Sequence, residues 1–374
     1  MNINTYGDWY PRKPEVGYPG EEYPFEASDR CGHLVQETPP ELWSNITGYL
    51  SIPDKLRLMQ VAQKLHDVAA DSIYKILYIH GSRGRRCCAM LASDTSLSRF
   101  YTSLVRSIVF YGIDVGDRQW TFPIFARILP KLENVHTLRI QVHHRYSDVL
   151  LNSLERYGIV RQAGPPKSLV MVSFHVGNIR RSYTRPHHLP LLQTITIKGN
   201  ASLLPIAAYR PIGAFEVTAP LSGRDLASVI KCFDTDTGRH SLTSLDIHLR
   251  ESVVLVNVLL KISDTFPELK KLSIGQKNLT VQAVLRLLGN DKSTLTKLTT
   301  LRLTQTGICS TYWWCSASTT DADRLILPVL DNILSGHHAF ETLDLGTMTY
   351  TFDGSTFKSV EIFKHDPNWN IYIA

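Results

Sequence analysis

Three adjacent histidine pairs, His143-His144, His187-His188 and His337-His338, and six cysteines are the side chains of this sequence with the widest chemical reach. Imidazole and thiolate bind transition metals, and a histidine beside a hydroxyl or thiol activates a nucleophile. The spacing argues against both uses. Neighbouring residues on a strand point to opposite faces, so a His-His pair does not close on one ion. Cys31, Cys87, Cys88, Cys232, Cys309 and Cys315 are scattered, without the two-plus-two spacing of a structural zinc site. The expectation is exposed, non-ligating histidines and free thiols, with no metal and no cofactor. The sequence also has no Gly-rich phosphate loop, no G-x-S-x-G elbow, no His-Glu-x-x-His and no calcium loop. It reads as a non-catalytic chain whose chemistry is recognition.

The elements that position recognition residues follow from a recurring apolar template. From about residue 100 the spacing φxxφxφ returns at Val105/Ile108/Phe110, Val135/Leu138/Ile140, Leu169/Val172/Phe174, Leu192/Ile195/Ile197 and Ile212/Phe215/Val217. It continues at Leu242/Leu245/Ile247, Leu269/Leu272/Ile274, Leu298/Leu301/Leu303 and Phe340/Leu343/Leu345. The last two apolar positions of each copy alternate, as a strand with one buried face requires. Amphipathic helical windows lie between copies, at Tyr146–Tyr157, from Ser222 onward, and at Val253–Phe266, Leu279–Leu288 and Asp323–Leu334. One strand and one helix per 20–30 residues resembles a degenerate leucine-rich repeat array, an α/β solenoid or horseshoe that buries itself by stacking. Leu192 to Asn200 matches the full Leu-x-x-Leu-x-Leu-x-x-Asn form. The residues between the apolar positions face outward, and the target-binding candidates are Arg139, His175, Lys198, Asp246, His248, Arg302 and Asp344. Gln141, Ser173, Thr196, Glu216, Ser273 and Thr304 share that face. Trp313 and Trp314, in an insertion before the last helix, are the candidate aromatic anchors. A non-repetitive α/β domain is the alternative.

Residues 38–79 follow a different pattern. Thr38-Pro39-Pro40-Glu41 spells a capping box with proline in the first turn, and Leu42, Ile46, Tyr49 and Leu50 then share a helical face. Ser51-Ile52-Pro53-Asp54 repeats the start signal, and Leu56, Met59, Val61, Leu65, Val68, Ala69, Ile73, Ile76 and Leu77 carry the apolar face onward. A unit of this size keeps a large share of its surface exposed, so the surplus stripe calls for a partner. The stretch resembles an F-box of the fungal type, through Pro40-Glu41-Leu42, Ile46, Leu50, Leu56-Arg57-Leu58, Val61, Leu65-His66-Asp67 and Ile73 to Leu77, about a ninth of the chain. It departs at Thr38, where the family generally has leucine, and at Ala62-Gln63-Lys64. The resemblance implies a short all-α module that docks the Skp-type linker of a Skp–cullin–F-box ubiquitin ligase. The docking residues would be Pro40, Glu41, Leu42, Ile46, Leu50, Leu56, Leu58, Val61 and Leu65. The repeat array would then hold the protein to be ubiquitinated. The rival reading is a leucine-rich repeat scaffold without a ligase role, in which these helices cap the first strand.

Composition bounds the rest. A chain of 374 residues with 43% hydrophobic and 20% charged residues has the balance of a soluble globular protein with room for several domains. The start of the chain lacks the basic and apolar regions of a secretory signal, and the most apolar window, 252–261, reads as a buried helix too short to span a bilayer. The expected compartment is the cytoplasm, the nucleus or both. Residues 1–37 carry a net charge of −4 and read as a flexible acidic, Pro-rich arm, leaving +10 on the remainder. Residues 81–99 read as a basic linker with Arg83, Arg85, Arg86 and Arg99, suited to steering an acidic partner. No nucleic-acid-binding signature surrounds it. The expected domains are thus 1–37, 38–80, 81–99 and 100–374.

Overall fold

The computed structural model describes residues 35–361, apart from 36, 113–116, 161–187, 200, 234, 278, 280, 292, 305–318 and 346–347. The chain divides after Ser72 into two compact units. Among the described residues, no helix is long and apolar enough to cross a membrane.

In the first unit run α1 (Pro40–Tyr49), α2 (Ile52–Leu58) and α3 (Gln63–Tyr74), the last continuing to the start of the second unit. The second start signal forms as expected: the Ser51 hydroxyl oxygen accepts from the Asp54 amide at 3.4 Å, with Pro53 in the first turn. The first does not form. Pro39 precedes α1, and no side chain caps it. Two consecutive prolines already fix the entry dihedrals and carry no amide hydrogens, so the reciprocal box has little left to add. The Thr38 carbonyl instead accepts from Lys64 Nζ at 2.7 Å, tying the start of α1 to α3. Lys55 Nζ donates to Ser72 Oγ at 2.8 Å and ties α2 to α3.

The second unit is mixed α/β around one eleven-stranded sheet whose strands lie side by side in chain order. They are β1 (Ile76–His80), β2 (Ser107–Gly112), β3 (Thr137–Val142), β4 (Thr194–Lys198), β5 (Ala214–Leu221) and β6 (Ser244–Leu249). Then come β7 (Lys271–Gln276), β8 (Thr300–Thr304), β9 (Thr342–Asp344), β10 (Met348–Phe352) and β11 (Phe357–Glu361). β1 to β9 are parallel, while β10 and β11 turn back as an antiparallel end.

The template residues stand in one register. Ile108, Leu138, Ile195, Phe215, Leu245, Leu272, Leu301 and Leu343 are paired from strand to strand, and all are buried. Where each strand begins, one carbonyl accepts two consecutive amides of the next strand. Lys75 O takes Arg106 and Ser107, Arg106 O takes His136 and Thr137, and the pattern repeats through His136, Gln193, Gly213, Thr243, Lys270 and Thr299. The result is a continuous hydrogen-bonded column from β1 to β9.

The copy at Leu169/Val172/Phe174 lies outside the described residues, and β3 pairs directly with β4. The Arg210 guanidinium, buried and held down to a pKa of about 10 by that burial, donates to the carbonyls of Ile159 and Ile206 beside this junction. One copy went unread. Tyr74/Leu77/Ile79 has the same spacing, and Leu77 and Ile79 pair with Ile108 and Phe110. Ile76–His80 is therefore the first strand of the sheet rather than the tail of the helical module. The basic linker expected at 81–99 is also ordered as helix, α4 (Gly81–Ala92) and the start of α5 (Ser96–Leu104). Its buried residues Gly84, Cys88, Leu91 and Ala92 recur every three to four positions, a helical period that the arginines between them disguise. Gly84 lets α4 lie against β1, since a Cβ there would meet the Ile79 backbone at 2.9 Å.

Among the described residues the remaining α-helices are α6 (Asp117–Ile128), α7 (Ser147–Arg156), α8 (Gly223–Cys232), α9 (Asp236–Ser241), α10 (Leu255–Thr265), α11 (Val281–Asn290) and α12 (Thr319–Leu334). They cover the buried face of the sheet: Phe110 stacks on Phe125 of α6 with centroids 4.0 Å apart, and Phe215 meets Phe233 edge-on at 5.2 Å. The expected start at Ser222 forms a complete capping box with Asp225.

Gly199 follows β4 with φ +108°, and a Cβ there would press into the carbonyl oxygen of Val142. Gly199→Ala is expected to destabilise the protein by about 3 kcal/mol, checked by the shift of its urea midpoint.

Candidate functional site

Two surfaces carry the residues singled out by the sequence, one on each unit. On the first unit, α1 has two apolar sides. Trp43, Thr47 and Leu50 are turned inward, with Thr47 fully buried. Leu42, Ile46 and Tyr49, spaced i, i+4 and i+7, are left outside, with Leu42 at 52% and Tyr49 at 91% exposure. Ile52 and Val61 are also exposed, Val61 at 67%. Of the expected docking residues, Pro40, Glu41, Leu42, Ile46 and Val61 are exposed, while Leu50, Leu56 and Leu58 are half-buried. Leu65 is buried, as are Ala69 and Ala70 on α3, so it belongs to the core and not to an accessible face. Tyr49 and Ile52, absent from the expected docking set, are as open as the residues within it.

On the second unit, the sheet face away from the helices gathers residues far apart in sequence. Register places Arg139, Thr196, Glu216, Asp246, Ser273, Arg302 and Asp344 in one row across β3 to β9. Further along the strands, Gln141 lies beside Lys198, and His248 lies beside Gly275, which lies beside Thr304. Arg139, Lys198, Asp246, His248, Arg302 and Asp344 thus lie on one face, as expected. His175, Trp313 and Trp314 lie outside the described residues.

Polar contacts hold this row in place. Thr196 Oγ1 donates to Glu216 Oε2 at 3.0 Å, and Arg302 Nε lies 3.3 Å from Asp344 Oδ2. Ser273 donates to Asp246, whose Oδ1 is buried without a hydrogen-bond partner among the described residues. Burial raises the Asp246 carboxyl above the ordinary carboxylate range, and the charge on Glu216 adds to the shift against the pull of Ser273, His248 and Arg302. Burial lowers the His248 imidazole, and Arg302 pushes the same way against Asp246 and Glu216. Gly275 makes room for that ring, since a Cβ on it would sit 2.6 Å from His248 Nδ1. No sequence motif marks Gly275; the signal is the glycine standing where other copies carry a side chain.

No protein-family model and no curated protein matches this sequence.

Among the described residues, no group of histidine, cysteine and carboxylate side chains is placed to hold a metal ion. The histidine pairs correct one expectation. His337 is buried, its Nε2 3.1 Å from Leu288 O, in the inward position three residues before Phe340 that Leu295 takes before Leu298. His143 and His144 are exposed as expected. Cys87, Cys88 and Cys232 are free thiols, and burial pushes Cys87 and Cys232 up to about 11, which keeps them unreactive.

The lowered His248 value sets a direction for stability. Above the unfolded imidazole value near 6.5, both states are neutral and the group costs nothing. As pH falls below it, the unfolded chain takes up the proton first, and stability declines until the lowered native value is reached. His248→Gln is expected to lose less stability than the wild type between pH 7 and pH 5, read from paired urea titrations; parallel curves would contradict this.

Proposed function

We propose that the chain is the substrate-recognition subunit of a Skp–cullin–F-box type ubiquitin ligase. α1 to α3 would be the F-box that docks a Skp-type linker and, through it, the cullin. The parallel ladder would be a leucine-rich-repeat-like solenoid that holds the target. The observation carrying this reading is the choice of face on α1: Leu42, Ile46 and Tyr49 stay in solvent while Trp43 and Leu50 turn inward. Exposing large apolar side chains at helical spacing forgoes roughly 25 cal/mol for each Å² that burial would remove from water. A contiguous patch of this kind marks a surface that another protein covers. The chain performs no bond chemistry in this reading. It raises the local concentration of target near the ubiquitin-carrying enzyme.

Co-expression with a Skp-type linker is expected to give a one-to-one complex on a sizing column. Leu42→Asp with Ile46→Asp should weaken it at least about a hundredfold, since each buried aliphatic anchor contributes about 1.5–3 kcal/mol. Both residues are exposed in the free chain, so the double variant should keep the wild-type melting profile. A complex that survives both substitutions would refute the assignment.

A further inference from the structure

The outward face of the sheet changes character in order along the ladder. β1 presents Ile76 and Tyr78, both exposed, Tyr78 at 64%. β3 and β4 present Arg139 and Lys198, and β5 and β6 present the carboxylates of Glu216 and Asp246, paired directly across the two strands. We propose that this face binds a single extended segment of the target protein, laid across the strands, with an apolar residue over β1, a carboxylate over β3 and β4, and a lysine or arginine over β5 and β6. The proposal rests on the reading of the sheet as the target-holding part of the chain, and it names the chemistry of what is held.

Two geometric facts set the spacing within that segment. Neighbouring strands lie about 4.8 Å apart, so β1 to β6 spans roughly 24 Å. An extended peptide advances about 3.3 Å per residue, so about eight residues cover the distance. Successive side chains of an extended segment alternate in direction, so those that reach the sheet are an even number of residues apart. The apolar, acidic and basic positions therefore fall about four residues apart each, close to the distance from β1 to the β3–β4 pair and from there to β6.

Charge complementarity selects the occupant. The basic and acidic parts of the face are adjacent, so a segment with its charges reversed meets like charge at both positions, which is costly. Asp246 and Glu216 stand side by side across β6 and β5, and Glu216 accepts from Thr196 Oγ1 at its Oε2 oxygen. An arriving ammonium or guanidinium supplies opposite charge and donors to this pair of carboxylates. Burial raises the Asp246 carboxyl and so disfavours its charge in the free protein, a cost that an arriving cation relieves.

Two fluorescein-labelled peptides of roughly nine residues test this, each with Gly-Ser spacers. One carries leucine, glutamate and arginine at four-residue intervals; the other exchanges the two charges. Anisotropy titration with the full chain is expected to show the first binding at least about tenfold more tightly at low salt. Arg139→Glu with Asp246→Lys should reverse the preference. Equal affinities, no saturable binding by either peptide, or a preference that the double variant leaves unchanged would overturn the proposal. Self-association of the chain that the same double variant abolishes would assign the face to a second copy and overturn it as well. The linker complex is measured on the same preparations. A lost linker complex with the peptide preference intact removes the adaptor reading alone, and a sound complex without preference removes this inference alone.

Discussion

The column of shared hydrogen bonds at the start of each strand is the constraint on which the second unit depends. Each carbonyl from Lys75 to Thr299 binds two consecutive amides of the next strand, and the residue that donates to one junction accepts at the next. A slip of one residue at any junction would turn the apolar set of that strand outward and its charges inward. Register and burial are therefore locked together. A further consequence is lateral: residues about 20 to 60 positions apart in sequence, such as Arg139 and Thr196 or Glu216 and Asp246, become neighbours one strand spacing apart. The same column that builds the core writes an ordered row of side chains on the open face.

That row is costly to the fold at its acidic end. Asp246 is mostly withdrawn from water, keeps one oxygen without a hydrogen-bond partner among the described residues, and shares its surroundings with Glu216 and His248. A core selected for stability alone would carry threonine or valine there, as Val109 and Thr196 do in the same row. Buried polar groups that are only partly satisfied are the usual mark of a surface whose partner completes them. On the edge strand β1 the problem is reversed, since Ile76 and Tyr78 leave apolar surface in water. A segment of the kind proposed for this face would place a cation over β5 and β6 and an apolar side chain over β1.

The periodic part of the architecture was legible because φxxφxφ is both a strand pattern and a repeat, and eight of its nine expected copies can be placed in the ladder. The start at Ser222 was legible because Ser and Asp at capping-box spacing act locally. What stayed hidden was decided by packing. Tyr74/Leu77/Ile79 continues the apolar period of α3, so it read as helix, and only pairing with β2 makes it a strand. α6 contains Pro123 and aromatic residues on several sides, which conceals its period, although Phe122, Phe125 and Ile128 are all buried. His337 looks like a surface residue by type, and its burial follows from the repeat position it occupies and from the Leu288 carbonyl that receives it. The individual residues of the open face were legible from alternation; Gly275 was not, because its role exists only beside His248.

The first unit shows why the exposed face of α1 could not be read from periodicity alone. α1 carries Leu42, Trp43, Ile46, Tyr49 and Leu50, which cover more than one side of a helix, so the pattern allows either side to be the core. In the structure Lys64 Nζ donates to the Thr38 carbonyl just before α1, and Thr47 is the residue of α1 that is buried. Thr47 is small and returns its own hydroxyl to the Ser44 carbonyl at 2.9 Å, so it can be buried without an outside partner. A leucine or isoleucine at that position would contribute more apolar burial, but it would also need more room. Thr47 is the buried residue of α1, while Leu42, Ile46 and Tyr49 at other positions of the helix are exposed.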